Sequence, residues 1–329
     1  MTMANISIFG SGAMGTAVAT ILANNGHNIT IYGIDDSELN DLKNGRNTKY
    51  FEDVNLPKFK VTKDKKQAVE DCNYIVFAIP TKALPETYKE VIKLIKKQVI
   101  IINVSKGFWK DSNKSCHEIM TQEAQANSLI SGVVSLIGPS FAIDIINKNI
   151  TAVDAVSNND KLNKKVQKLF SNDYFRVYTQ KDVVGAESGS IFKNILAIAS
   201  GMVAGLGYST NSQIALITRG FNELKKFVLA RGGKLKTIFG LSCLGDLMLT
   251  ALSDKSRNYT FGKNFYNKNF DSSKLTVEGL RSIEIVYDEY IKTKLLDLPI
   301  VNSLYQIIYN NANPNEIIIN LMKRKLKSE

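Results

Sequence analysis

The chain has 329 residues, more than one hydrophobic core usually supports, so we expect two domains. Its 44% hydrophobic and 22% charged residues are typical of globular proteins and exclude a disordered, collagen-like or membrane-bundle chain. The formal net charge of +11 invites a nucleic-acid interpretation, but the lysines are scattered among acids on amphipathic stretches such as 60–66. We therefore interpret them as solvated faces and expect no nucleic-acid partner.

Short apolar runs alternate with helical patterns over most of the first 180 residues, which predicts a mostly parallel sheet wrapped by helices. The predicted strands are Ile6–Phe9, Asn28–Tyr32, Tyr74–Ala78, Val99–Asn103, Val133–Ile137, Ala152–Val156 and Phe175–Tyr178. After Asp182 long helical segments run to the end. We predict an α/β fold with a Rossmann-type dinucleotide-binding domain at 1–181, an all-α substrate-binding domain at 182–329, and a cleft at their boundary.

The turn after the first predicted strand has the pattern Gly10-x-Gly12-x-x-Gly15 and precedes a helix predicted at Ala17–Asn25. In that context the backbone N–H groups bind the pyrophosphate of a dinucleotide. The alternative is a tight strand-to-helix turn that binds nothing, because small residues there also allow close packing.

The end of the second predicted strand usually distinguishes NAD from NADP. Residues 32–34 offer neither an acid nor a base, and Asp35-Asp36 lie slightly beyond the position at which the deciding residue usually stands. Lys43 and Arg46, further along, are possible phosphate partners. The sequence leaves the cofactor as NAD or NADP.

Two further turns follow predicted strands, at the sheet edge where open α/β folds bind ligands. Asn103–Gly107 places Lys106 directly after an apolar strand. Gly138–Ala142 places the Ser140 hydroxyl beside exposed backbone amides. A solvated loop lysine is the alternative interpretation of Lys106.

Lys193 is the only charged residue between Glu187 and Arg219, and its neighbours are mostly apolar. Burial of an isolated cation is costly. The side chain either extends to water or lies in a polar cleft, where desolvation lowers its pKa toward a value useful in acid catalysis. Asn194 adjoins it.

Two polar turns occur in the helical half. Leu244-Gly245-Asp246 supplies a carboxylate, and Ser256-Arg257-Asn258 supplies a guanidinium that can hold a phosphate by paired hydrogen bonds. A helix cap at Asp246 and a surface ion pair at Arg257 are the alternatives.

Cysteine and histidine usage argues against other chemistries. Cys72, Cys116 and Cys243 are far apart and odd in number, which predicts neither a disulfide framework nor a metal site. His27 follows a helix-end signal and His117 lies on a polar amphipathic stretch, so we expect no histidine-based catalysis. With no secretory leader before the first strand and no apolar run of about 18 residues, we predict a cytoplasmic protein without a membrane anchor.

Several motifs in the same order resemble those of glycerol-3-phosphate dehydrogenase [NAD(P)+] over almost the whole chain. They are Gly10–Gly15, Arg46-Asn47, Tyr50, Leu56-Pro57, Ser105–Gly107, Gly138–Ala142, Val183–Asn194, Ala215–Gly220, Leu244–Asp246, Ser256–Asn258 and Val277–Gly279. The resemblance implies reversible hydride transfer between NAD(P)H and dihydroxyacetone phosphate, giving sn-glycerol 3-phosphate for glycerophospholipid synthesis. It also implies a homodimer.

The resemblance assigns residue roles. The implied catalytic residues are Lys193, Lys106 and Asp246. The implied cofactor-binding residues are Gly10, Gly12, Ala13, Met14, Gly15, Lys106, Ala142, Arg257, Thr276 and Glu278. The implied substrate-binding residues are Lys106, Gly138, Ser140, Lys193, Asn194, Asp246, Thr250, Ser256, Arg257 and Asn258. No metal is implied.

The chain departs from the family pattern at two cofactor positions: Met14 stands where an aromatic residue is frequent, and Ile34 where a basic residue or histidine is frequent. Two other functions stay open. One is a different reductase of the same two-domain plan acting on a 2-keto or 3-hydroxy substrate, and the other is a non-catalytic dinucleotide sensor. The Ser256–Asn258 loop favours a phosphate-bearing substrate, and the isolated Lys193 favours catalysis.

Overall fold

The structure, a computed structural model, describes residues 3–323 and 325–326. Met1, Thr2, Arg324 and Lys327–Glu329, at the outer ends of the two predicted domains, lie outside the described residues. The chain divides into two compact units, Met1–Ser190 with Gly232–Asp246 and Ile191–Arg231 with Leu247–Glu329. Each unit combines two separate stretches of chain, whereas the predicted domains divide the chain once. The predicted boundary at residues 181/182 stays a prediction. Every helix within the described ranges is too short or too polar to cross a bilayer.

Eight strands form a single sheet in the first unit. They are β1 (Asn5–Phe9), β2 (Asn28–Tyr32), β3 (Lys60–Thr62), β4 (Tyr74–Phe77), β5 (Val99–Asn103), β6 (Ile130–Ile137), β7 (Thr151–Val156) and β8 (Phe175–Gln180). Their order in the sheet is β3-β2-β1-β4-β5-β6-β7-β8. All neighbouring pairs are parallel except β6 and β7, which are antiparallel. The predicted mostly parallel sheet is confirmed.

The central strands are largely apolar because both faces of the sheet are buried. In β1, Ile6 and Ile8 pack into one hydrophobic cluster and Phe9 into the cluster on the other face. β4 alternates in the same way, with Val76 on the first side and Phe77 on the second. This two-sided burial makes these strands visible in the sequence as mostly apolar runs.

The edge strand β3 was not predicted. Lys60, Val61 and Thr62 pair with the end of β2, although the sequence reads there as part of a lysine-rich amphipathic stretch. Short, charged strands are common at sheet edges, where they discourage pairing with other chains. A three-residue strand of this kind carries almost no periodic signal.

The described residues also form sixteen α-helices, two π-helical turns (Leu241–Gly245 and Tyr287–Ile291) and one 3-10 turn (Ser272–Lys274). The first eight are α1 (Ala13–Asn24), α2 (Asp36–Lys43), α3 (Thr48–Phe51), α4 (Lys65–Val69), α5 (Leu84–Leu94), α6 (Cys116–Ala124), α7 (Ala142–Ile146) and α8 (Asp160–Phe170). The others are α9 (Val183–Gly205), α10 (Thr210–Ala230), α11 (Leu235–Ile238), α12 (Asp246–Ala251), α13 (Arg257–Lys263), α14 (Glu278–Val286), α15 (Pro299–Asn310) and α16 (Pro314–Met322). The prediction that the chain is helical after Asp182 is confirmed.

Within the second unit, a buried carboxylate joins two helices. Glu223 of α10 is only 4% exposed. It accepts hydrogen bonds from the N–H groups of Ile300 (2.7 Å) and Val301 (3.2 Å) in the first turn of α15. Burial raises the pKa of Glu223 from 4.5 to about 7, although the two N–H donors and the charge of Lys226 oppose that rise.

This carboxylate should make stability depend on pH. In the folded protein Glu223 keeps its proton up to a pH of about 7, whereas the unfolded chain loses it near pH 4.5. The contribution to stability is therefore greatest below pH 4.5 and is lost as the pH rises toward 7. This fall in the free energy of unfolding should be on the order of 3 kcal/mol and should be absent in Glu223→Gln.

The measurement is the free energy of unfolding in urea at several pH values between 4.5 and 8, compared with the exposed control Glu289→Gln. An unchanged pH slope in Glu223→Gln would contradict this assignment.

Candidate active site

Two glycines of the turn between β1 and α1 are required by the fold itself. Gly10 has φ +128°, and an added Cβ would lie 2.4 Å from the Ala78 carbonyl oxygen. A Cβ at Gly15 would lie 1.9 Å from the Gly10 carbonyl oxygen. The N–H of Gly10 donates to the backbone carbonyl oxygen of Tyr32 at the end of β2 (2.9 Å). The turn is therefore held tightly against β2 and against the segment after β4.

Gly12 has a different environment. A Cβ added there would meet only the Tyr50 ring, 3.7 Å from its hydroxyl oxygen, so the protein interior does not require a glycine. Gly12 begins α1 without a side-chain cap, and the half-buried Ala13 and Met14 form the first turn. An uncapped helix start with a bare backbone in front of it fits the pyrophosphate of a dinucleotide. The helix begins at Ala13, four residues earlier than predicted.

A buried glutamate that sequence reasoning missed supports this turn. Glu38, in α2, is 7% exposed. It accepts hydrogen bonds from the hydroxyls of Ser11 (2.5 Å) and Tyr50 (2.9 Å) and from the Lys49 ammonium group (2.6 Å). The spacing Asp35-x-x-Glu38 resembles a helix start, but no local signal indicates that Glu38 turns inward.

Lys106 lies after β5 and is held by two partners from distant parts of the first unit. Its ammonium group donates to the Gly138 carbonyl oxygen (3.0 Å) and to the Asp246 carboxylate (2.9 Å). Asp246 is 1% exposed. The hydroxyl of Ser140 also donates to the Gly138 oxygen (2.9 Å), and Ala142 begins α7 nearby in the sequence. The structure therefore brings together Lys106, Gly138, Ser140 and Asp246, and Lys106 is not a solvated loop lysine.

A chain of hydrogen bonds anchors the loop that carries Lys106. The Asn103 side chain donates to the Ser105 carbonyl oxygen (2.9 Å) and accepts from the Ser105 N–H (3.1 Å). Behind it, Asn103 contacts the Ser135 hydroxyl at 3.4 Å, and that hydroxyl is 3.0 Å from the His117 imidazole. The Ser105 hydroxyl donates to the Ile79 carbonyl oxygen (2.5 Å).

His117 differs from its predicted environment. It is 4% exposed instead of lying on a polar helix face. Burial lowers the pKa of His117 to about 4, so the imidazole is neutral near pH 7. Its contact with the Ser135 hydroxyl places it behind the Asn103 side chain, and no signal in the sequence indicated this contact.

In the second unit, Lys193 of α9 is 5% exposed, so the alternative in which it extends to water is wrong. Its ammonium group donates to the Thr250 hydroxyl of α12 (2.9 Å). Thr250 is itself 5% exposed. The structure thus brings together two predicted site residues that are 57 positions apart.

Asn194 and Asn258 also meet in this unit. The Asn258 side chain donates to the side-chain oxygen of Asn194 (3.1 Å) and accepts from the Gly279 N–H (2.9 Å). Both polar ends of the Asn258 amide therefore join helices α9, α13 and α14. This use of the side chain was not predicted.

The remaining predicted residues surround α13 and α14. Ser256 is buried and caps α13, where its hydroxyl accepts from the Tyr259 N–H (3.3 Å). Arg257, the first residue of α13, is exposed. Thr276 and Glu278 are half-buried, and Glu278 begins α14.

Comparisons with known proteins cover both units. The N-terminal pattern of NAD-dependent glycerol-3-phosphate dehydrogenase matches residues 5–163, and its C-terminal pattern matches residues 182–319. The chain is 47% identical to glycerol-3-phosphate dehydrogenase [NAD(P)+] from Mycoplasma mobile over 98% of each protein. The chain belongs to the NAD-dependent glycerol-3-phosphate dehydrogenase family.

Other members agree with this assignment. The Acholeplasma laidlawii glycerol-3-phosphate dehydrogenase [NAD(P)+] is 38% identical over 98% of each chain. A crystal structure of the glycerol-3-phosphate dehydrogenase from Coxiella burnetii superposes with a TM-score of 0.88 at 29% identity, covering 98% of this chain and 99% of that one. The family and fold predicted from the sequence motifs are confirmed, while the roles of individual residues remain predictions.

Proposed function

We propose that this chain catalyses reversible hydride transfer between NAD(P)H and dihydroxyacetone phosphate, giving sn-glycerol 3-phosphate. The observation that carries the proposal is the buried Lys193, held by Thr250 in a chain of this family. A buried ammonium group is costly unless it has a function or strong partners. Reduction of a ketone requires a proton donor for the oxygen, and an ammonium group meets that need.

The proposed roles follow from the contacts. The turn Gly10–Gly15 holds the cofactor pyrophosphate, and the cofactor, when bound, supplies or accepts the hydride at its nicotinamide ring. Lys193 donates a proton to the substrate oxygen as the ketone becomes an alcohol, and accepts it in the reverse direction. Lys106, aimed by Asp246, donates a hydrogen bond to a substrate oxygen.

Other predicted residues complete the proposal. Arg257 binds the substrate phosphate through its exposed guanidinium group, and Asn258 keeps the neighbouring helices in place while offering its peptide N–H. The remaining proposed substrate contacts are Gly138, Ser140, Asn194, Thr250 and Ser256. The remaining proposed cofactor contacts are Ala13, Met14, Lys106, Ala142, Arg257, Thr276 and Glu278.

We further propose that the enzyme works as a cytoplasmic homodimer and supplies the backbone of glycerophospholipids. Size-exclusion chromatography with light scattering tests the oligomeric state directly.

The central test is turnover. Purified protein is mixed with dihydroxyacetone phosphate and either NADH or NADPH, and the loss of the near-ultraviolet absorbance of the reduced nicotinamide is followed. We expect oxidation that requires the substrate phosphate, so unphosphorylated dihydroxyacetone should react far more slowly. No turnover with either cofactor would refute the proposal, and faster turnover of a 2-keto acid would favour the alternative reductase.

Arg257→Ala should weaken substrate binding more than catalysis. Loss of a paired guanidinium–phosphate contact should raise KM for dihydroxyacetone phosphate by about 10- to 100-fold and change kcat by less than about threefold. Arg257→Lys should recover part of the loss because it restores the charge without the planar fork. Arg176→Ala, at an exposed arginine of β8, is the matched control. An unchanged KM in Arg257→Ala would remove this residue from the phosphate site.

A further inference from the structure

We propose that this protein binds NADH in preference to NADPH, because the end of β2 presents an apolar side chain and more carboxylates than lysines, with those lysines already paired, where the additional phosphate of NADPH would lie. The inference rests on the proposed function, since it concerns the cofactor of that reaction. It resolves the ambiguity that the sequence left at residues 32–36.

The end of β2 lies directly beside the glycine turn. The Gly10 N–H donates to the Tyr32 oxygen (2.9 Å). At the next residue, a Cβ added to Gly33 would lie 2.6 Å from the Ser11 hydroxyl. In dinucleotide-binding folds the residues just after the second strand face the adenosine ribose, whose 2′ position is a hydroxyl in NAD and a phosphate in NADP. The side chains from Ile34 onward therefore decide which group is accepted.

The first side chain after Gly33 is apolar. Ile34 is 78% exposed, so it covers no core and is available to a ligand. An isoleucine offers neither a positive charge nor a hydrogen-bond donor to a phosphate. Dehydration of a phosphate against such a side chain is unfavourable.

The charged groups that pair with one another just after β2 carry a net negative charge. They are three carboxylates, Asp35, Asp36 and Glu38, and two ammonium groups, Lys49 and Lys63. The nearby Lys65, 5.8 Å from the centre of the Tyr32 ring, is paired with Glu90. Lys49 lies 2.6 Å from Glu38 and 3.2 Å from Asp35. Lys63 lies 3.0 Å from Asp36. Both lysines are therefore paired with carboxylates before a nucleotide arrives.

Asp35 is fixed in place by α2. One of its oxygens accepts from the N–H groups of Ser37 (2.9 Å) and Glu38 (3.1 Å), and the other faces Lys49. The N–H donors and Lys49 hold the pKa of Asp35 below its ordinary value. A 2′-phosphate, with a charge of about −2, would approach this carboxylate or draw Lys49 away from two partners. A ribose hydroxyl is neutral and can donate to a carboxylate.

The two cations that the sequence offered as phosphate partners lie elsewhere. Lys43 is the last residue of the eight-residue helix α2, about 10 Å along the axis from its start. Arg46 is exposed and acts electrostatically on Asp41, which also accepts from the Thr48 N–H (2.9 Å). The ammonium groups that contact Asp35 and Asp36 are instead those of Lys49 and Lys63.

The test is equilibrium binding without substrate, so that catalysis plays no part. NADH and NADPH are titrated into the protein, and the change in reduced-nicotinamide fluorescence gives each dissociation constant. We expect the Kd for NADPH to exceed that for NADH by at least about tenfold, the effect of one unfavourable charge contact. The ratio should fall as salt is added, because salt screens the repulsion.

A charge-adding variant sharpens the test. Ile34→Arg should lower the ratio of the two dissociation constants by about tenfold, since a guanidinium group pairs with the 2′-phosphate. Ile150→Arg makes the same substitution at a residue that is 90% exposed and precedes β7, five positions from β2 in the sheet order. This control should leave the ratio unchanged.

The outcomes separate this inference from the proposed function. Equal dissociation constants, or tighter binding of NADPH, would overturn the preference while leaving the dehydrogenase intact. An equal shift in Ile34→Arg and Ile150→Arg would also overturn it, because the effect would then be one of overall charge. Binding of neither nucleotide would overturn both proposals.

Discussion

Replacement of Lys193 by methionine should reduce kcat for dihydroxyacetone phosphate by about 100- to 10,000-fold, the usual contribution of a proton donor. Methionine fills a similar volume without the charge, so the fold should persist in α9, where Lys193 is 5% exposed. The dissociation constant for NADH should change by less than about threefold. Steady-state kinetics and nucleotide fluorescence measure the two quantities separately.

Two comparisons make the Lys193 result specific. Lys292→Met removes a lysine from the same unit at a side chain that is 71% exposed, and its kcat should match the unmodified enzyme. Small amines added to Lys193→Ala should restore activity in proportion to their concentration, which a purely structural defect would not allow. A kcat within tenfold of the parent in Lys193→Met would exclude the lysine as the proton donor.

Alanine at Gly15 should mainly reduce stability, whereas alanine at Gly12 should mainly reduce NADH binding. The new Cβ of Gly15→Ala would lie 1.9 Å from a backbone oxygen, so the turn must distort. We expect a loss of more than about 3 kcal/mol of stability. In Gly12→Ala the nearest atom is the Tyr50 hydroxyl at 3.7 Å, so stability should change by less than about 1 kcal/mol. The methyl group would instead occupy the space proposed for the pyrophosphate and weaken NADH binding at least tenfold.

Urea denaturation and NADH titration test this pair. Gly26→Ala is the control for backbone strain alone, because Gly26 has φ +80° and nothing lies within 4 Å of an added Cβ. It should cost about 1 kcal/mol. Normal NADH affinity in Gly12→Ala would contradict the proposed place of the pyrophosphate.

The fold was predictable where a strand has a regular apolar pattern. β5 has the predicted bounds because it is a short apolar run, and β2 because its buried isoleucines alternate with polar residues. The direction of β7 was not predictable, because antiparallel pairing with β6 depends on how the chain returns through the five-residue helix α7. The connection over residues 138–150 is long enough for a parallel crossover, so its length does not decide the direction.

The site was predictable only in part. Lys106, Lys193 and Asp246 are conspicuous because charges follow strand ends or interrupt apolar stretches. Glu38 and His117 look like ordinary helix residues, and their burial depends on Ser11 and Ser135, 27 and 18 positions away. Contacts of that range arise from tertiary packing and leave no local pattern.

The hydrogen-bonded support of Lys106 bears on the entropy of substrate binding. A free lysine side chain loses up to about 2 kcal/mol of conformational entropy when it is immobilised. Here Gly138 and Asp246 already hold the ammonium group, and Asn103 holds its loop. That entropy is therefore lost when the chain folds. Binding of a substrate to the preorganised Lys106 carries no further cost of ordering this side chain.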